Sequence, residues 1–118
     1  MNDQKINTNR LFDATEALSI VDGDQDLFRE LVGMFRETYP AELSAIREAI
    51  GRRDPEGLRR ASHHLTGTLV TLAAGPARST ALRLEDLGRK ADFEPAPAAC
   101  IEIEHQLRAL DQALAAWG

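Results

Sequence analysis

The chain has 118 residues of which 43% are hydrophobic, enough for one packed core and too little for two. Its 14 Lys and Arg stand against 19 Asp and Glu, and this net charge of -5 disfavours nucleic acid, whose binding rests largely on neutralising phosphates. A lone cysteine, Cys100, excludes an internal disulfide, no apolar run approaches the roughly 20 residues that cross a bilayer, and neither a P-loop nor a kinase Gly-rich loop is present.

These features predict a cytoplasmic protein without membrane insertion, and any phosphoryl chemistry in it must borrow its donor. Residues 1–10 lack periodicity and are rich in Asn and Asp, as expected of a flexible tail ahead of one domain at 11–118. From Asp13, the spacing Asp13-x-x-Glu16 reads as a capping box for a short first helix through Ala17, Leu18 and Val21. The turn Asp22-Gly23-Asp24 ends it.

A long amphipathic helix follows, with Leu27, Leu31, Phe35, Leu43, Ile46 and Ile50 at three- and four-residue steps and an expected kink at Pro40. Asp54-Pro55-Glu56 then supplies a cap, a first-turn proline and a negative charge to a third helix, lined by Leu58, Ala61, Leu65, Leu69 and Leu72 and expected to stop at Gly75-Pro76. Pro76 opens a fourth helix through Ala81, Leu84 and Leu87, Phe93-Glu94-Pro95-Ala96-Pro97 breaks it, and Cys100, Ile103, Leu107, Leu110, Leu114 and Trp117 mark the seam of a last helix. Short connections and the absence of strand-like alternation predict an all-α, antiparallel up-down four-helix bundle with a short additional N-terminal helix.

At about 100° per residue, His63 points roughly 160° away from Leu65, the centre of the third helix's apolar stripe, and so faces solvent. Arg59 and Gly67 fall one turn to either side of it on the same face, with Thr66 and Val70 at the edge. Arg52, Arg53, Arg59 and Arg60 make a basic cluster immediately before the two adjacent histidines. Gly67 is unexpected within a helix, where glycine costs about 1 kcal/mol relative to alanine. A partner's close approach to the imidazole would account for it, as would a helix contact or a kink.

His63-His64-Leu65-Thr66-Gly67, followed by Thr68, Leu72 and Ala74, resembles the signature of the histidine-containing phosphotransfer (HPt) family, His-x-Leu-Lys-Gly followed by a small residue and a Leu-Gly-Ala segment. Leucine two positions on and glycine four positions on select His63 rather than His64. The early helix around Ala17-Leu18, Phe35 in the long helix and the Leu84-Glu85 pair fit the family's outline. The resemblance implies a phosphorelay module, not an ATP-using enzyme, whose His63 takes a phosphoryl group from the aspartyl phosphate of a receiver domain and passes it to another receiver. It also implies no cofactor or metal on this chain, Mg²⁺ being held by the receiver, and a monomer is expected.

The family's lysine is replaced by Thr66, its frequent asparagine by Thr71 and its second glycine by Ala73, so Arg59 or Arg60 is expected to supply the missing positive charge. Arg59, Arg60, Thr66, Gly67 and Val70 are thus the expected phosphate-stabilising or docking residues around His63. A degenerate module that binds a receiver without accepting phosphate is the alternative, and the acceptor helix pair of a sensor kinase is weaker because its motif continuation is missing. His64 is read as a flanking residue nearer the bundle. Glu102-x-x-His105 has di-iron spacing but no second copy, and Asp22-Gly23-Asp24-Gln25-Asp26 reads as helix capping rather than a calcium loop.

Overall fold

The computed structural model describes residues 11–117, and among them five helices and no strand: α1 (Ala14–Ile20), α2 (Gln25–Arg52), α3 (Pro55–Thr71), α4 (Gly75–Lys90) and α5 (Ala96–Trp117). The tail expected at residues 1–10 lies outside the described residues. Three aspartates begin helices in the same way: the carboxylates of Asp13, Asp24 and Asp54 accept the backbone N–H of Glu16, Leu27 and Gly57, each at 3.0 Å. A cap of this kind contributes about 1 kcal/mol by satisfying a donor that the helix leaves unpaired. Asp24 thereby accounts for the acidic run before α2.

Helices α2 to α5 form the antiparallel up-down bundle, each packed against its chain neighbour and α5 closing back onto α2, while α1 leans on α2. Phe35 and Ile46 of α2, Leu58, Leu65 and Leu69 of α3, Leu84 of α4 and Ile103 and Leu107 of α5 are fully buried in one continuous core. Phe35 stacks on Tyr39 and Trp117 meets Phe28 edge-on, both with ring centroids 4.9 Å apart. Cys100 is buried beside this core, and burial pushes its thiol up from the usual value, which keeps it protonated. No described helix is long and apolar enough to cross a membrane.

Helix α2 is one continuous helix with Pro40 inside it, as the apolar spacing predicts. One boundary differs from the sequence reading. Helix α3 ends at Thr71, before Gly75-Pro76, because Ala73 adopts a left-handed backbone (φ 53°) and the N–H groups of Ala73 and Ala74 return to the carbonyls of Val70 and Leu69, both at 3.0 Å. Ala73 stands where the resembled signature has its second glycine, the residue suited to that backbone. Its carbonyl also accepts the N–H of Asp13 at 3.0 Å, which ties the entry of α1 to the α3–α4 turn.

The tightest helix contact lies between α3 and α4. A Cβ placed on Gly88 would sit 2.6 Å from the backbone nitrogen of Arg59 and 2.9 Å from the carbonyl oxygen of Pro55, so only glycine permits this approach. Gly88→Ala should therefore lower stability by about 1–3 kcal/mol despite alanine's better helix propensity. Urea denaturation reads the loss, and an unchanged or raised midpoint would contradict the contact.

Candidate functional site

The start of α3 at Asp54-Pro55 sets the phase of the helix, so Leu58, Leu65 and Leu69 turn inward and His63 outward. The His63 side chain is 69% exposed, yet its Nδ1 lies 3.1 Å from Oε2 of Glu85 on α4, a carboxylate only 9% exposed. An ionised carboxylate only accepts hydrogen bonds, so Nδ1 carries the proton and donates it. In the neutral ring Nε2 then keeps its lone pair, and the side chain is mostly open to solvent. Arg89, one turn along α4, donates from Nη2 to the same Oε2 at 3.1 Å and places a cation beside the pair.

The basic cluster is more divided than the sequence suggested. Arg59 is held by Glu56 through two hydrogen bonds, of 3.0 and 2.7 Å, which direct its charge back along α3. Arg52 lies 3.7 Å from Glu48, and Arg53 sits over the Phe93 ring. Arg60 is exposed and makes no ion pair among the described residues. Arg89 is the guanidinium joined to His63 through Glu85, and the sequence reading did not single it out. Its position four residues after Glu85 on one helix was the available signal.

Thr66 departs from expectation. It was placed at the edge of the exposed face but is 8% exposed, and its Oγ1 donates to the Ser62 carbonyl at 2.8 Å. A threonine hydroxyl inside a helix finds the carbonyl four residues back, and a buried hydroxyl so engaged is not turned toward a phosphoryl group outside. Val70 is 45% exposed, as an edge residue should be. His64 also differs from the reading that set it nearer the bundle: its side chain is 77% exposed and Nδ1 pairs with Glu42 of α2. The facing residues Ala45 and Ala49 of α2 are too small to cover it.

Glu102 is engaged by Arg83, and His105 points to solvent. No group of three or more His, Cys, Asp and Glu side chains able to hold a metal gathers among the described residues.

The sequence matches the family described as Hpt domain over residues 30–113, more than two thirds of the chain. The chain belongs to the Hpt domain family. It is a histidine phosphotransfer module of phosphorelay signalling, a phosphocarrier class whose members interact with receiver domains. Among solved structures it is similar to histidine-containing phosphotransfer protein B (HptB) from Pseudomonas aeruginosa PAO1, with 19% identity, a TM-score of 0.81 and coverage of 88% of this chain and 90% of that one. At that identity the likeness speaks for the shared fold. No curated protein matches significantly.

In this Hpt domain the glycine one turn after His63 is free of internal duty. A Cβ on Gly67 would meet nothing within 4 Å, and α3 continues past it to Thr71, so neither a helix contact nor a break explains it. Gly67→Ala should stabilise the isolated domain by about 0.5–1 kcal/mol through helix propensity alone. A lowered thermal or urea midpoint would show that the glycine serves the fold after all.

Proposed function

We propose that His63 is the phosphoryl acceptor of this Hpt domain, taking the group from the aspartyl phosphate of one receiver domain and delivering it to the aspartate of another. The observation that carries the proposal is the hydrogen bond between His63 Nδ1 and Glu85, which in the neutral ring leaves the Nε2 lone pair available on an exposed side chain. Nε2 attacks phosphorus, the P–O bond of the acyl phosphate breaks, and the receiver's carboxylate departs with that electron pair. The product ring bears both N–H and N–P bonds and one positive charge, which the buried carboxylate of Glu85 offsets. Onward transfer reverses these steps.

Arg89 and Arg60, rather than Thr66, add positive charge around the site, while Arg59 contributes mainly by shaping the helix start with Glu56. Gly67 clears room for the receiver and Val70 gives it an apolar contact. The donor's Mg²⁺ stays with the receiver, and this chain supplies a positioned nucleophile without a nucleotide site, metal or cofactor of its own. Because the phosphoryl group must leave again, an open imidazole serves better than an enclosed one. The module works as a cytoplasmic monomer in this reading.

Incubation with a phosphorylated receiver tests the assignment. His63→Gln should abolish acid-labile label from the receiver, and His64→Gln should transfer within a few-fold of wild type; loss with His64→Gln alone would overturn the register. Glu85→Gln, which keeps an acceptor but removes the charge, should slow transfer about tenfold, equivalent to about 1.4 kcal/mol of transition-state stabilisation. Gly67→Leu should impair transfer without unfolding the protein, and a normal rate in a stopped-flow or quench assay would remove the glycine from the docking surface.

A further inference from the structure

Helix α3 carries a second imidazole in the same chemical setting as the first. Nδ1 of His64 is paired with Oε2 of Glu42 on α2, as Nδ1 of His63 is paired with Oε2 of Glu85 on α4. The two carboxylates also match. Glu42 is 12% and Glu85 9% exposed at the side chain, and in each the remaining oxygen, Oε1, is buried without a hydrogen-bond partner. Adjacent histidines point to opposite flanks of α3, so each meets a glutamate from a different neighbouring helix.

A structural clamp is a poor account of this arrangement. Exposed ion pairs contribute about 0–1 kcal/mol, whereas a carboxylate with one oxygen buried and unpaired carries a desolvation cost. Glu85 shares that cost with Arg89, but Glu42 has only His64 among the described residues. A ring that gains a positive charge would answer the Glu42 carboxylate better, and phosphorylation at Nε2 produces such a ring. Access is also present: His64 and Glu42 stand at a groove of about 440 Å³ between α2 and α3, floored by Ala45, Ala49, Gly57 and Ala61. Arg60, one turn before His64 and also lining the groove, provides a cation for an arriving phosphoryl group.

We infer that His64 is a second N-phosphorylation site, positioned by Glu42 and reached from the α2–α3 groove, open to acyl phosphate and phosphoramidate donors. The step balances as it does at His63. Nε2 of the neutral ring forms the N–P bond, the donor's P–O or P–N bond breaks, and the donor leaves as a carboxylate or, taking a proton from water, as ammonia. The proton on Nδ1 stays where Glu42 holds it. Small donors of either class reach both rings, whereas the receiver of the proposed relay docks over His63.

The test uses the whole chain with phosphoramidate as the only donor and site-resolved mass spectrometry under non-acidic conditions. His105, exposed on α5 and without a carboxylate partner among the described residues, serves as an internal reference. His64 should be labelled within a few-fold of His63 and at least tenfold faster than His105. Glu42→Gln, close in shape to wild type, should bring His64 down toward the His105 rate while His63 in the same molecules is unchanged. A His64 rate equal to that of His105, or one indifferent to Glu42→Gln, overturns the inference. Failure of His63 to react would instead count against the acceptor assignment, and the two results are read separately from one spectrum.

Discussion

Where α4 crosses α3 the two backbones nearly touch, with Gly88 against the main chain of Arg59 and Pro55, and the chemistry of the site depends on that contact. The helices run antiparallel, so three residues back along α4 from Gly88 corresponds to four residues forward along α3 from Arg59. These steps reach Glu85 and His63. A wider crossing would leave the imidazole without its carboxylate, and the bond of 3.1 Å between them is a consequence of a missing side chain one turn away. In the proposed mechanism this close packing selects the tautomer, and the tautomer decides which nitrogen reacts.

Burial and exposure are divided across this pair in a way that suits a carrier. Glu85 is fixed inside, held from two sides by His63 and Arg89, while the ring that it orients is open to a partner. Rigidity is placed in the part that must not move and access in the part that must be reached. Gly67 extends the same logic outward: it weakens the helix locally, fills no internal role and leaves bare backbone beside the imidazole. In the proposed function this bare backbone is where the receiver approaches.

Much of the bundle was legible in the sequence because its signals are local. Aspartates at three helix starts, prolines in first turns and three- and four-residue apolar steps each act within a few residues, and the structure keeps them. The outward direction of His63 followed from helix periodicity alone. What was not legible depended on contacts between helices or on a single backbone angle. Ala73 reverses the chain by adopting a conformation that its sequence does not advertise, which moved the end of α3 to Thr71. Thr66 lay close enough to the burial boundary for one carbonyl four residues back to draw it inward. Glu85 was visible only as part of a family outline, and its partnership with His63 required knowing how closely α4 passes; that closeness depends on a glycine whose role appears only in three dimensions.

In the proposed mechanism Glu85 holds the Nδ1 proton and so directs phosphorylation to Nε2 of His63. Long-range proton–nitrogen spectra of protein labelled with ¹⁵N-histidine, recorded before and after phosphorylation by a receiver, test this directly. Free His63 is expected to carry its proton on Nδ1, with phosphorus coupling then appearing on Nε2 of that residue. A proton on Nε2 in the free protein, or phosphorus bonded to Nδ1, would contradict it.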